Sequence, residues 1–356
     1  MSENPDVVSV SVADLRELAG RVLAAAGVPA RHVEEVVGGL IDADIEDQSS
    51  HGILLLPMYV ERILAGSVAP AGKGRIVSDT PTSVVIDAEN ALGQVTSETA
   101  VALCIARARE HGMAAVAVRN GFHFGTANRW ARRIAQAGSV GIVMSNTRPL
   151  MPAPGGAERV VGNNPIALAV PAASGHPILA DVALSAGAMM KIRFAAANGE
   201  RIPEGWATDA DGVPTTDPES AIKGMLLPAG DAKGFALAAL VDLIAGGLSA
   251  GAIGDEVRPL YGDPKLPYRC AHFFLAIDIG RFRPIDKFEA AADVLASRVR
   301  ASRPAPNGGP VRMPGDRALV AAAAHEFHCP LARSTLDSLT RLAGRLNVPV
   351  PSSLAS

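Results

Sequence analysis

Two histidines occur in surroundings that could support proton transfer, and the first belongs to the stretch QSSHG. Ser50 precedes His51 at the predicted start of a helix, where unsatisfied backbone N–H groups would lower the imidazole pKa. A neutral imidazole can accept a proton near pH 7. Tyr59 follows eight residues after His51 and would project from nearly the same helix face. The alternative is that Ser50 caps the helix and His51 is an exposed first-turn residue.

The second histidine, His123, lies between Phe122 and Phe124 and is followed closely by Gly125. Only 4% of the chain is aromatic, so two phenylalanines around one titratable ring are an unusual concentration. A core histidine satisfied by a backbone carbonyl would explain the same pattern. The pattern alone leaves both interpretations open.

Other motifs are less specific. The stretch PAPGGAERVVGNNP at 152–165 is a glycine-rich loop that could hold an anion or simply make a tight turn. Asp181 and Ser185 follow a predicted strand, where open α/β sheets bind ligands, although helix capping also explains the serine. His325 and His328 in AAHEFHC would share a helix face, but their H-E-x-H spacing does not match a zinc motif, and we predict no metal site.

The elements that must position these residues form three groups along the chain. Residues 11–65 show three helical patterns, and Ser11 can cap the first. From about Arg75, short apolar or β-branched runs alternate with helical patterns, and after Pro284 the chain becomes helical again. We therefore predict an α/β (α+β) fold with an α/β domain at 75–283 and a helical domain formed by both chain ends, 1–74 and 284–356. The closing helices should pack on the N-terminal ones.

Composition excludes several classes of function. The 356 residues carry a net charge of −3 with 48% apolar residues, so no basic field favours nucleic acid. The apolar stretch from Phe235 contains Asp242 and several glycines, which favours a buried helix over a membrane span. The first thirty residues lack the basic region and cleavage site of an export signal, and the three cysteines are widely spaced. We expect a cytoplasmic protein with no nucleic-acid or membrane partner.

Nine segments, taken in order, are similar to one family. They are SSHG, VRNGFHFG, SNTRPLMPAPGG, GNNPIALAVP, DVALS, IPEGWATDADGVPTTDP, KGFALAALVDLIAGGLSAG, HFFLAID and VRMPGDR. Together they extend over about residues 10–348 and resemble the type II malate/L-lactate dehydrogenase family, which includes ureidoglycolate and sulfolactate dehydrogenases and piperideine/pyrroline-2-carboxylate reductases. The chain contains neither G-x-G-x-x-G nor a P-loop motif. The resemblance implies a non-Rossmann nicotinamide-binding domain with a mixed sheet at 75–283, and a homodimer whose site is completed near the subunit contact.

The resemblance also implies roles for individual residues. Catalysis would involve Ser50, His51, His123 and Lys191, and the substrate would contact Leu55, Tyr59, Met189 and Met190. Cofactor contacts are expected from His123, Phe124, Gly125, Ser145, Asn146, Thr147, Asp181, Val182, Ala183, Lys233, Gly234, Arg312, Met313, Pro314 and Arg317. The chemistry would be hydride transfer between C4 of a nicotinamide and a C=O or C=N carbon, with an imidazole supplying or removing the proton.

The chain departs from the family pattern where the substrate would bind. Many members carry an arginine four or five positions after the motif serine, able to clamp a substrate carboxylate, but here those positions are Leu54 and Leu55. Asn163 and Leu184 replace two hydroxyl-bearing residues near the expected cofactor. With two adaptable methionines nearby, these changes favour an apolar or bulkier 2-oxo acid, or an imino acid, over malate.

We therefore predict an oxidoreductase that acts on a 2-oxo/2-hydroxy acid or a cyclic imino acid with NAD(P)H, with a slight preference for NADPH. The alternative is a non-catalytic relative that binds a nucleotide or metabolite. The missing arginine favours that alternative, whereas retention of Ser50, His51, His123 and Lys233 argues against it. A metal-dependent hydrolase built on His325 and His328 would lack a third ligand.

Overall fold

The computed structural model describes residues 7–354 as a mixture of helices and strands. Helices α1 to α11 comprise Val12–Ala25, Ala30–Ile45, Leu56–Leu64, Gly93–His111, Ala127–Gln136, Met189–Asn198, Pro218–Lys223, Ala232–Asp242, Ile285–Arg300, Asp316–Ala324 and Arg333–Arg345. Strands β1 to β12 comprise Val7–Ser11, Arg75–Asp79, Ser83–Asp87, Met113–Gly121, Ser139–Ser145, Ile166–Val170, Ile178–Val182, Ala207–Thr208, Pro214–Thr215, Met225–Leu226, Cys270–Asp278 and His328–Ala332.

Seven strands form one mixed sheet in the order β2-β3-β4-β11-β5-β6-β7. Strands β3 and β4 are parallel and are connected through α4, whereas the other neighbouring pairs in this sheet are antiparallel. Doubly wound nucleotide-binding folds are built from successive parallel βαβ units. The predicted α/β class with a mixed, non-Rossmann sheet is therefore confirmed.

Helices α4 and α5 bury their apolar faces against the central sheet. Trp130 and Ile134 of α5 and Cys104 of α4 belong to one buried cluster with Val116 of β4 and Phe274 of β11. The indole N–H of Trp130 is not left without a partner, because it donates to the carbonyl of Phe124 at 3.0 Å. This packing fixes the segment between β4 and α5, which contains His123.

The two chain ends pack together in a second cluster. Leu15 of α1 and Leu339 of α11 are buried in the same core, which confirms the predicted contact between closing and opening helices. Strands β1 and β12 pair antiparallel with Val10 opposite Cys329, a ladder that the sequence analysis missed because its partners are so far apart in the chain. Helix α9 adds no residue to this buried cluster. The boundaries at 74/75 and 283/284 stay a prediction.

Two local predictions are wrong. His325 directly follows α10 and His328 begins β12, so they do not share a helix face. The helix expected from Phe235 is not fully buried: α8 ends at Asp242 and continues as a π-helical turn, Leu243–Gly247, and Leu237, Leu240 and Leu243 along it are exposed. Over residues 7–354, no three potential metal ligands cluster and no helix has the length and apolarity to cross a membrane.

His272 of β11 is a fully buried imidazole. Its ring stacks on Phe124 with 4.2 Å between centroids, and its Nε2 lies 3.3 Å from the Cys270 sulfur. The other nitrogen, Nδ1, has no hydrogen-bond partner among the described residues. Burial penalises the charged ring and lowers the His272 pKa to about 3.

This burial predicts a pH-dependent loss of stability that His272→Phe should remove. In the unfolded chain the imidazole has a pKa of about 6.5. Below that pH the unfolded state therefore binds a proton that the folded state excludes. Between pH 6.5 and 5.0 the wild type should therefore lose about 2 kcal/mol more of its free energy of unfolding than His272→Phe. Urea unfolding at several pH values measures this difference, and parallel stability curves for the two proteins would contradict it.

Candidate active site

A cavity of about 440 Å³ lies where segments following β4 and β5 meet the end of β7, the start of α6 and the turn before α3. Its volume is typical of a small-molecule site. Ten residues predicted from the sequence line it: Ser50, His51, Leu55, His123, Gly125, Thr147, Asp181, Ala183, Met189 and Met190. The fold therefore brings together residues that are up to about 140 positions apart in the chain.

The Ser50–His51 pair lies in a single 3₁₀ turn, Ser49–His51, and not at the start of a long helix as predicted. A buried carboxyl group holds the following segment, because Asp44 Oδ2 accepts the backbone N–H of Ile53 at 2.7 Å. Gly52 is required beside it, since a Cβ there would lie 2.0 Å from Asp44 Oδ1. Burial raises the Asp44 pKa to about 7.

His51 is half-buried and is hydrogen-bonded through Nδ1 to the Ser50 hydroxyl at 2.9 Å. Desolvation lowers its pKa from the ordinary value. The direction agrees with the sequence prediction, but the cause is burial of the ring and not the N–H groups of a helix start. His51 is therefore a neutral imidazole at pH 7, with Ser50 fixing one of its two nitrogens.

His123 is anchored from behind by Tyr59 of α3. The phenol oxygen lies 2.7 Å from His123 Nδ1 and in turn accepts the side-chain N–H of Gln94 at 3.0 Å. The backbone N–H of Gly125 is also directed at His123 Nδ1, at 3.3 Å. Helix α4 can approach closely enough to supply Gln94 because its first residue is Gly93, where a Cβ would lie 2.2 Å from the Phe122 carbonyl oxygen.

These contacts determine where the proton of His123 resides. Burial raises the Tyr59 pKa, so the phenol keeps its proton and can donate it to His123. The Gly125 N–H is directed at Nδ1, which favours the tautomer with its hydrogen on Nε2. The phenol, which also lies 3.2 Å from the His123 carbonyl oxygen, then donates to Nδ1. Burial and the neighbouring His51, whose ring stacks at 5.4 Å, hold the His123 pKa well below its usual range. The site thus contains two neutral imidazoles side by side.

The opposite wall fits the phosphates and amide of a nicotinamide dinucleotide. Gly125, Thr126 and Ala127 line the cavity at the start of α5, where the side chain of the N-cap residue Thr126 does not bond the first turn. A helix start offers backbone N–H groups to an anion. Asp181 beside it accepts the Asn128 N–H at 3.1 Å, and burial raises the Asp181 pKa to about 6. Hydrogen-bond donors for the phosphates and an acceptor for the amide are therefore both present, as such a cofactor requires.

Three predicted cofactor residues use their side chains for contacts within the protein. Asn146 donates to Asp242 and to the Ala252 carbonyl, each at 2.8 Å, and accepts the Ala271 N–H at 2.7 Å. The Ser145 hydroxyl donates to the Ala271 carbonyl at 3.1 Å, and Phe124 stacks on His272. All three side chains are buried and do not line the cavity, so they support its walls.

The remaining predicted residues lie outside the cavity wall, and Tyr59, which was expected to contact the substrate, is fully buried and bonds His123 instead. Lys191, Val182 and Lys233 are exposed, and Gly234 is buried against the backbone of Ala229. The segment Arg312 to Arg317, with Met313 and Pro314, runs beside β7, where the Pro314 carbonyl accepts the Leu179 N–H at 3.4 Å. Their roles in binding stay predictions.

The sequence analysis missed one wall of the cavity, formed by Leu260, Tyr261 and Tyr268. Their segment is held by the buried guanidinium of Arg62, which donates to the carbonyls of Pro259, Leu260 and Leu266 at 2.8 to 3.1 Å. Two of the chain's three tyrosines in one short segment were a signal that could have indicated this wall.

Nine further residues that line the cavity were not among the predicted site residues: Gln48, Thr126, Ala127, Arg148, Leu150, Asn163, Pro165, Ala188 and Arg193. Arg148 directly follows the matched segment Ser145 to Thr147, so its position in the sequence was also a usable signal.

Comparison with known proteins identifies the family. Residues 10–340 match the sequence model of the malate/L-lactate dehydrogenase family. The chain is 34% identical over 337 residues to a malate dehydrogenase of Pyrococcus abyssi, which covers 92% of each chain. It is 36% identical over 274 residues to a (2R)-3-sulfolactate dehydrogenase (NADP(+)) of Chromohalobacter salexigens, covering 77% of this chain and 82% of that one.

A solved structure agrees with the sequence matches. The delta1-piperideine-2-carboxylate reductase of Pseudomonas syringae pvar. tomato superposes with a TM-score of 0.85 at 28% identity, covering 94% of this chain and all of that one. These similar proteins are named as enzymes, and a non-catalytic relative gains no support. The chain belongs to the malate/L-lactate dehydrogenase family and is an oxidoreductase that uses a nicotinamide cofactor.

Proposed function

We propose that the cavity binds a reduced nicotinamide against the start of α5 and a 2-oxo acid or cyclic imino acid against Ser50, His51 and His123. The observation that carries the proposal is the pair of neutral imidazoles, one bonded to Ser50 and the other locked by Tyr59, facing a single cavity. The two relatives named above act on malate and sulfolactate, and the solved neighbour on an imino acid, which supports these substrate classes.

The cofactor, when bound, supplies a hydride to the carbonyl or imine carbon of the substrate. Thr126 and Ala127 would bind its phosphates through backbone N–H groups, since the Gly125 N–H is directed at His123, and Thr147 and Asp181 would contact its nicotinamide end. The name of the Chromohalobacter relative includes NADP(+), which favours NADPH slightly for this chain.

The two histidines would divide the work of proton transfer. His123 donates a hydrogen bond from Nε2–H to the substrate oxygen or nitrogen, because its Nδ1 is already occupied. His51 exchanges the proton with that atom, and the Ser50 hydroxyl at its Nδ1 orients the ring. A neutral His51 accepts the proton when a hydroxy acid is oxidised, whereas a protonated His51 donates it when the oxo acid is reduced.

The shape of the substrate end favours an apolar side chain over that of malate. Leu55, Met189 and Met190 line this part of the cavity, and Leu260 closes it from the Arg62-held segment. Methionine side chains adapt to differently shaped apolar groups. We therefore infer that this enzyme acts on bulkier or apolar 2-oxo acids, or on cyclic imino acids.

We also propose that the enzyme is a homodimer formed through α8 and the turn after it. From residue 236 to residue 248 the exposed residues are all alanine, leucine or glycine, including Leu237, Leu240, Leu243 and Leu248, which are 52% to 63% exposed. A continuous uncharged patch of this kind is uncommon on a monomer. A patch without charges can contact its own copy across a two-fold axis without like-charge repulsion.

The hydride-transfer proposal predicts oxidation of NADH or NADPH, followed at 340 nm, with at least one acid from a panel of 2-oxo and cyclic imino acids. His51→Ala should lower kcat by about 10²–10⁴-fold while cofactor affinity, from nicotinamide fluorescence, changes little. His123→Gln should weaken cofactor binding as well, because its segment contacts the dinucleotide. No saturable fluorescence change with either cofactor would remove the proposal.

The pH dependence should differ between the two directions. Because the His51 pKa is lowered below its ordinary value of about 6.5, kcat/KM for oxidation should already be level above that pH. For reduction, kcat/KM should fall as pH rises from 6 to 9. His51→Ala should lose this dependence, and an unchanged pH profile in that variant would assign the proton to another group.

Tyr59→Phe tests the tautomer of His123. The variant keeps the aromatic packing against Phe122 but removes the donor to Nδ1, so the ring can populate both tautomers. We expect kcat to fall by about 10²-fold with cofactor affinity retained. Nitrogen-15 NMR of the histidine side chains should show a single Nε2–H form for His123 in the wild type and a mixture in the variant. A single form in both proteins would contradict the role of Tyr59.

The dimer prediction is tested by Leu240→Asp combined with Leu243→Asp. Two charges in the apolar patch should turn a dimer of the 36.6 kDa chain into a monomer by light scattering at micromolar concentration. Leu64→Asp, which changes an equally exposed leucine at the end of α3, is the matched control and should stay dimeric. A monomeric wild type, or a dimeric double variant, would show that this face is not the interface.

A further inference from the structure

One guanidinium group in the cavity wall has no partner in the protein. Arg148 lines the cavity and is half-buried, yet among the described residues it forms no ion pair and its side chain donates no hydrogen bond. Its charged or titratable neighbours are Arg159, Arg193 and Tyr268, and none of them is a carboxylate. A partly desolvated cation without a counter-charge is costly, so its surroundings favour an anion.

The carboxylate that does line the cavity is not a partner for Arg148. Asp181 is bound by the N–H of Asn128, and the charged neighbour that acts on it is Glu46. The groups that act on Arg148 are a separate set, two arginines and the phenol of Tyr268. Positive and negative charge are therefore separated along the cavity, and the cationic region is left for a ligand.

The backbone beside Arg148 is fixed on both sides. The Thr147 N–H donates to the side-chain oxygen of Asn164 at 2.9 Å, and Asn164 is itself fully buried and donates to the Ala238 carbonyl. The Leu150 N–H bonds the Val161 carbonyl at 2.9 Å. Arg193, the other arginine of the cavity, is by contrast exposed on helix α6. Arg148 is therefore the better positioned of the two to hold a ligand group in one orientation.

The position where the sequence pattern leads one to expect an arginine is apolar in this chain. Leu55 lines the cavity with a hydrocarbon side chain, and Leu54 packs partly against the helical core. Neither can bind a carboxylate, so the 2-oxo or imino acid of the proposed function would have no charged partner near the Ser50–His51 turn.

We propose that Arg148 binds the carboxylate of the substrate and determines the enzyme's specificity for acids over neutral carbonyl compounds. This inference rests on the proposed function. Arginine can contact both carboxylate oxygens at once, which would orient the carbonyl or imine carbon toward the cofactor and its heteroatom toward His51 and His123. The neutral imidazoles then need not compensate the substrate's charge.

The test compares an acid with its primary amide in three variants. Two acid–amide pairs are used as substrates. One is 2-oxobutanoate with 2-oxobutanamide, and the other is the best acid of the panel above with its amide. The wild type should prefer the acid by kcat/KM, and Arg148→Gln should lose about 10²–10³-fold on the acid and little on the amide. Arg148→Lys keeps the charge but not the two-point contact, so its preference should be intermediate.

Arg193→Gln is the matched control, because it removes an equal charge from the same cavity and should leave the acid-over-amide preference close to that of the wild type. Nicotinamide fluorescence with each variant shows that the fold and the cofactor site are intact. An Arg148→Gln enzyme that keeps the wild-type preference, or an Arg193→Gln enzyme that loses it, would overturn the proposal. A wild type that binds no cofactor or reduces no acid would instead refute the proposed function.

Discussion

The hydrogen bond between Tyr59 and His123 is the contact on which the site depends. It joins α3, which belongs to the packed chain ends, to the segment after β4, which belongs to the sheet. Gln94 at the start of α4 fixes the phenol from a third direction. Because burial raises the phenol pKa, the hydroxyl keeps its proton near neutral pH and can donate it to the ring while it accepts the Gln94 N–H. This 2.7 Å contact holds the position of His123, and the Gly125 N–H directed at Nδ1 favours the hydrogen on Nε2.

Burial is the second constraint, and it acts on acids and bases in opposite directions. It lowers the pKa values of His51 and His123 and raises that of Asp181 to about 6, so each group moves toward its neutral form. Around these neutral imidazoles, the low polarity of the surroundings keeps electrostatic interactions strong for the ligand that enters. Asp44, with its pKa raised to about 7, extends this pattern to the turn that carries Ser50 and His51.

The cavity is also assembled by residues that do not touch its interior. Arg62 lies one helical turn after Tyr59 on α3, and its guanidinium binds three carbonyls of the segment that carries Leu260 and Tyr261. Helix α3 therefore holds His123 with one side chain and a wall of the cavity with another. Asn146 also supports the cavity without lining it, because it joins the end of β5 to β11 and to the end of α8.

The sequence by itself determined the class of fold, most helices and most strands of the seven-stranded sheet, the family, and ten residues of the cavity lining, because these depend on local periodicity and on motifs of fixed spacing. Only the tertiary structure decided the β1–β12 ladder, the exclusion of Ser145 and Asn146 from the cavity, and the wall formed by Leu260 and Tyr268. It also placed Arg148 in the lining of the same cavity as the apolar Leu55, with no carboxylate acting on its guanidinium. Hydrogen-bond partners and neighbouring charges come from segments distant in the chain, and no local pattern records which of them meet after folding.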